Sequence, residues 1–196
     1  MELYVVRHVQ LQGLEYLEAA RGQVRLQVGV TAPAQAAQPP AAVQSLRLAG
    51  YYAAGDGGGA TYRRAASEPA HEGKLQTAGG AWWELAETRI SPLMFGALGD
   101  GASDDSDAFL KIRSYVEQSS LWRSGYMVTP STLDLRDRTY ALEQPIWIRT
   151  AVRMVNGRFL LRESALQGDY GIRLGEATAG TSYKQVLEYV EFVADT

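Results

Sequence analysis

The residues best equipped for chemistry are four aspartates in one short run, DGASDDSD: Asp100, Asp104, Asp105 and Asp107. Two carboxylates can share general acid and base roles, as in hydrolysis of a glycosidic bond, and one alone can act as the base of an elimination when metal or arginine neutralises charge beside it. Oxygen ligands at such short spacing also suit calcium, but the glycine and terminal glutamate positions of an EF-hand loop are missing. His8 and His71 stand far apart without a triad-like neighbour, and the chain has no cysteine, so a zinc site lacks ligands. The remaining acids of interest, Asp134, Asp137, Glu143, Glu163, Asp169, Glu176, Glu188 and Glu191, are scattered over expected turns and outer faces and read as solvated surface. No residue is therefore nominated as catalytic, cofactor-binding or metal-ligating, and no cofactor is expected.

The elements that must position the aspartates lie in residues 90–117. An apolar run (Leu93, Met94, Phe95) leads through Gly96, Gly99, Asp100 and Gly101 into an amphipathic helix. Asp104 is the expected N-cap and Asp107 the N3 residue, both facing the positive end of the helix dipole. Phe109, Ile112 and Val116 recur at helical spacing, with Ala108 and Tyr115 widening the stripe. Turn and cap formation accounts for the carboxylates without a catalytic duty.

Upstream, Leu3, Val5 and Val6 suit a strand, residues 14–20 a short helix, and Val24, Leu26 and Val28 a half-buried strand. TAPAQAAQPPAA follows, with Pro39-Pro40 opposing helix and favouring an extended linker. SLRLAGYYA, the loop Gly55-Asp56-Gly57-Gly58-Gly59, the Tyr62 strand and the Trp82-Trp83 strand then suggest a small antiparallel sheet. The loop is a poor phosphate cradle, because no GK(S/T) follows and its flanks are strand-like. Adjacent strand residues face opposite ways, so at most one of Trp82 and Trp83 needs explaining beyond the core. Interface packing or sugar stacking, shared with Tyr51-Tyr52, are the options. After the helix, Trp122, Tyr126, Met127 and Val128 suggest a return to extended structure. Short strand-like pieces follow over 139–142, 145–148, 152–155 and 159–161, with Asn156-Gly157 as a turn. Residues 171–174 and 186–193 suit further strands, with a short helix over 184–193 as the competitor.

FGALGDGASDDSDAF closely resembles the opening segment of the pectate-lyase-like right-handed β-helix superfamily, above all that of bacteriophage tail spikes and tail fibres, including capsule depolymerases. GYYAAGDGGGATYRR with GGAWWEL resembles the small module that precedes that segment, and RTYALEQPIWIRTAVRMVNGRF resembles the first coils. The resemblance implies a mainly β protein: a small antiparallel β-domain, a capping helix and the first coils of a right-handed parallel β-helix. It also implies a homotrimer, a tail or baseplate protein as partner, and host surface polysaccharide contacted through the parent protein, in a virion or prophage-encoded tail particle.

The expected layout is 1–30 attachment or adaptor segment, 31–42 Ala/Pro linker, 43–89 small antiparallel module, 90–118 opening motif and capping helix, and 119–196 first coils of a truncated β-helix. A solenoid end needs a polar cap that FVADT does not supply, which favours a piece of a longer spike. Its function is then mounting the spike and nucleating the trimer. The alternatives are a polysaccharide lyase or glycoside hydrolase, and a non-enzymatic β-helical adaptor or adhesin. Net charge is -3 with scattered basic residues, so nucleic acid is not an expected partner. No stretch resembles a membrane span, and the start MELYVVRHVQ has no signal-peptide pattern.

Overall fold

A computed structural model describes residues 10–11, 14–19, 23–28, 31–119, 132–166, 170–175 and 185–195. The chain forms two compact units. The first runs to Pro69 and resumes over Gly73–Glu87; the second takes Ala70–Glu72 and the chain from Thr88 onward. The expected strand at Leu3, Val5 and Val6, the extended run at Trp122, Tyr126, Met127 and Val128, and His8, Asp169 and Glu176 lie outside the described residues.

The first unit is a seven-stranded sheet built from β1 (Gln10–Leu11), β2 (Leu14–Ala19), β3 (Gln23–Val28), β4 (Val43–Leu48), β5 (Thr61–Ala65), β6 (Lys74–Gln76) and β7 (Trp82–Leu85). Their spatial order is β1-β2-β3-β4-β5-β7-β6. Two sequence expectations are corrected here. The segment LEYLEA is a strand where a helix was expected, because pairing with β3 from Glu15↔Gln27 to Ala19↔Gln23 outweighs its helix-forming residues. Residues 31–42 do not separate two modules, since β3 and β4 are parallel neighbours in one sheet. A parallel pair needs a crossover, and this one contains helix α1 (Thr31–Ala36). Alanines favour that helix, and Pro33 is tolerated in its first turn. Ala34 and Ala37 are buried, their small side chains leaving room for close packing.

The alternation of β4 is reset by a register shift at Gln44, which turns Val43 inward alongside Leu46 and Leu48. Cross-strand partners Leu46, Tyr62 and Leu85, together with Leu75 and Trp83, fill the core of this unit. Each fully buried side chain of this size contributes about 1.5–3 kcal/mol. Arg64 opposes Trp83; its guanidinium lies 4.4 Å from the indole centroid and donates to the carbonyls of Val43 and Pro40, both at 2.8 Å.

The second unit is a stack of parallel strands. It comprises β8 (Arg89–Ile90), a 3₁₀ turn (Pro92–Phe95), β9 (Asp100–Asp104), α2 (Ser106–Gln118), β10 (Thr132–Leu142), β11 (Ile146–Ile148), β12 (Arg153–Arg162), a second 3₁₀ turn (Glu163–Leu166), β13 (Ile172–Leu174) and β14 (Val186–Asp195). One sheet runs β14-β12-β10-β8, with β9 also on β10; the other pairs β11 with β13. Like residues stack in register: Leu133, Met154 and Leu187 in one row, Tyr140, Phe159 and Phe192 in another. Residues 186–195 are thus strand and not helix, because pairing with β12 satisfies their backbone.

Each long strand bends. Asn156 and Tyr189 adopt left-handed φ values of 58° and 55°, between rung Val155↔Glu188 and rung Gly157↔Val190. Asparagine tolerates this conformation and tyrosine pays a steric penalty for it. The pieces expected at 152–155 and 159–161 are one strand bent at Asn156. A Cβ on Gly157 would sit 2.4 Å from that of Leu135, so only glycine fits beside the corner. Helix α2 closes one end of the row: Phe109 meets Tyr140 at 5.4 Å and Phe159 at 5.1 Å, while Ile112, Tyr115 and Val116 are buried.

Candidate functional site

Where a turn was expected at Asp100 and Gly101, the chain is already strand. Asp100–Asp104 is a strand on β10, through Thr139↔Asp100 and Ala141↔Asp104. The N-cap residue is Asp105, one position later than expected, and its side chain makes no capping bond. That carboxylate turns back into the protein instead. It is buried, accepting the Leu98 amide at 2.7 Å on Oδ1 and the Gly99 amide at 3.1 Å on Oδ2. Burial pushes its pKa up against the pull of these two amides, and the charges of Asp100 and Asp104 add to the rise.

Asp104 does the work expected of a cap, although it stands outside the helix. Its Oδ1 accepts the Ser106 amide at 2.9 Å and hydroxyl at 2.5 Å, and the Glu143 amide at 3.2 Å. The Ser106 oxygen in turn accepts the amides of Glu143 and Gln144. The first turn of α2 is thereby latched to the bend after β10. Asp104 is partly desolvated, but these hydrogen bonds hold its pKa below the usual carboxylate value. Asp100 accepts the amides of Ala102 and Ser103, both at 2.8 Å, which lower its pKa. Asp107 lies in the first turn of α2, where its charge complements the helix dipole. Three of the four carboxylates thus hold backbone amides, and acting as a base would require releasing them.

The glycine loop of the first unit is also filled from within. The Asp56 carboxylate accepts the amides of Tyr51 at 3.1 Å, Tyr52 at 2.7 Å, Ala53 at 2.9 Å and Gly58 at 2.7 Å. It occupies the concavity a phosphate would need. Burial raises its pKa, and the four amides outweigh that and lower it. Trp83 is fully buried with its N–H on the Thr77 hydroxyl at 3.4 Å. Trp82, on the opposite face, is half-buried with the Lys74 ammonium 5.8 Å from its ring.

Asp134 was expected on the surface; it is buried, bonded to the Arg136 amide at 3.0 Å and the Arg89 guanidinium at 2.9 Å. Glu188 and Glu191 pair with Arg153 and Arg158 across β12 and β14, and Asp195 with Arg162. Exposed pairs of this kind contribute about 0–1 kcal/mol each. Among the described residues no group of three or more histidines, cysteines or acids could hold a metal. Trp147 stands outside the aspartate motif; its one sequence signal is an aromatic residue between two isoleucines and two positions before an arginine, and both isoleucines are buried.

No family model and no curated protein matches the chain. Solved structures do. The enzymatically active domain of tailspike protein 4 from bacteriophage CBA120 superposes with a TM-score of 0.54 and 16% identity, covering 86% of this chain and 23% of that one. WceF of Pantoea stewartii, a glycan biofilm modifying enzyme with a bacteriophage tailspike-like parallel β-helix fold, gives 0.47, 12%, 90% and 32%. Full-length tailspike protein 2 from an Escherichia coli O157:H7 bacteriophage gives 0.44, 15%, 94% and 30%. The chain spans less than a third of each of these structures. Its fold is tailspike-like: a small β-domain followed by a capping helix and the first coils of a β-helix.

Proposed function

We propose that this chain is the N-terminal structural region of a phage or prophage tail spike or fibre, seating the spike on the tail and starting a trimeric β-helix that recognises host surface glycan. The observation that supports this reading best is the way the stack begins. Helix α2 lays Phe109 against Tyr140 and Phe159, and the strands after it pair in parallel. A repeat array needs its end covered in this way, so that the apolar interior of the terminal repeat is not left to water. The aspartates around α2 serve the same end, fixing the cap to the first coil through Asp104, Ser106 and the Glu143 and Gln144 amides. In this reading the partners are two further copies of the chain, a tail or baseplate protein, and host polysaccharide through the parent protein. No residue of this chain is assigned a part in polysaccharide cleavage.

Light scattering on the native particle tests the assembly. A mass three times that of the chain is the expected result. A monomer across the accessible concentration range would overturn the trimeric spike and point to an adaptor.

A further inference from the structure

The outer face of the small β11–β13 sheet carries a cluster that the fold alone does not require. Ile146 and Ile148 point into the core, so Trp147 between them must face outward. Arg173 is its register partner on β13 and shares that face. Arg149 follows two residues after Trp147 on the same side. Both guanidinium carbons lie 4.5 Å from the Trp147 ring centroid, and Arg173 also lies 5.6 Å from the ring of Tyr170. The indole is fixed, its N–H donating to the Gly175 carbonyl at 2.7 Å. Trp147, Tyr170 and Arg173 are half-buried and Arg149 is exposed.

Two cations on one small face repel each other, yet among the described residues neither has a carboxylate partner. The adjacent acid, Glu117, is already engaged: it accepts the Arg149 amide at 2.9 Å and pairs with Arg113 at 3.5 Å. Among the described residues the guanidinium groups are thus met by aromatic rings, which pre-order them and limit the entropy lost on binding. Planar donor forks match a carboxylate, and the ring edges beside the stacked guanidinium groups add apolar surface for a sugar.

We infer that Trp147, Arg149, Arg173 and Tyr170 form a binding site for a carboxylated sugar residue of an acidic polysaccharide. The guanidinium groups take the carboxylate and the sugar ring rests against the aromatic edges. This deepens the surface-glycan reading above and rests on it, while placing a contact on this chain itself.

The test is a titration of the full chain with oligogalacturonate, followed through the indole N–H signal of Trp147 in a nitrogen–proton NMR spectrum and assigned with Trp147→Phe. Saturable shifts are expected, with the methyl-esterified oligomer binding about tenfold more weakly or worse, as the loss of a charged bidentate contact implies. The double variant Arg149→Gln/Arg173→Gln should lose affinity by a similar factor while keeping its melting temperature, whereas Arg47→Gln, on the first unit, should bind normally. Equal binding of acid and ester, or a double variant as competent as the parent chain, would overturn the site. Inorganic phosphate moving the signal as strongly as the oligomer at equal concentration would overturn the sugar and leave a bare anion contact. Particle mass is measured on the same sample, so a monomer that binds the oligomer sinks the trimeric spike without touching this site.

Discussion

The two glycine-rich turns of this chain use the same device in opposite surroundings. In the first unit, Asp56 gathers four amides at the surface; in the second, Asp105 gathers two in the interior. Folding shifts the carboxylate's pKa down in the first turn and up in the second, since four amides outweigh the burial of Asp56 and two do not outweigh the deeper burial of Asp105. A DG-containing string therefore does not state what its aspartate contributes. The number of amides and the water left around them decide it.

Removing each acceptor should separate the turns most sharply. Asp105→Ala leaves the Leu98 and Gly99 amides without their acceptor in a buried place, and should destabilise the second unit by about 3 kcal/mol. Hydrogen exchange at amides of β10 and α2 would report it, and exchange unchanged from the parent would remove Asp105 as the keystone of that turn. Asp105→Asn, which retains one acceptor oxygen, should cost less.

Gly50→Ala comes next. The added Cβ would lie 1.8 Å from the Ala53 carbonyl oxygen, a backbone atom that cannot move without opening the Asp56 loop. A loss of about 2 kcal/mol in the first unit is expected, the scale of a strained backbone position. Gly99→Ala, at φ 62°, meets instead the side chains of Arg138 and Tyr140 at 2.9 Å. An equal or larger effect at Gly99 would show that the outer loop is the more forgiving of the two. Asp56→Ala should cost about 1 kcal/mol, because water can replace the carboxylate at its more exposed amides. Faster exchange confined to residues 51–58 would be its signature.

What the sequence makes legible follows the range of each interaction. The FGALGDGASDDSDAF string is local, so the turn, the helix and its apolar stripe can be read directly. The latch from Asp104 to the Glu143 amide could not be, because it joins residues far apart in the chain. An Ala/Pro run suits a linker and a short crossover equally, and only the parallel pairing of β3 with β4 tells them apart. The Tyr140, Phe159 and Phe192 row depends on register between distant strands. No single segment announces it. Trp147 faces outward because Ile146 and Ile148 are core, and the alternation in IWI alone does not say which side is inside.

The smallest effect is the one that tests the comparison most directly, because it asks for opposite signs. Asp56 has its folded pKa below the unfolded value of about 3.9, so its stabilisation is present above that pH and is lost as pH falls through the folded pKa. Asp105 has its folded pKa above the same reference, so in that interval the native state binds more protons than the unfolded chain. Its contribution is fully present below about pH 3.9 and is lost as pH rises through the folded pKa. Carbon-detected NMR titration of the two carboxyls should bracket the ordinary aspartate value, Asp56 below and Asp105 above. Asp105→Asn should abolish the rising-pH loss in the second unit while leaving the acid loss of the first unit intact. If both carboxyls titrated below the ordinary value, the Leu98 and Gly99 amides would be outweighing burial, and the two turns would be the same device after all.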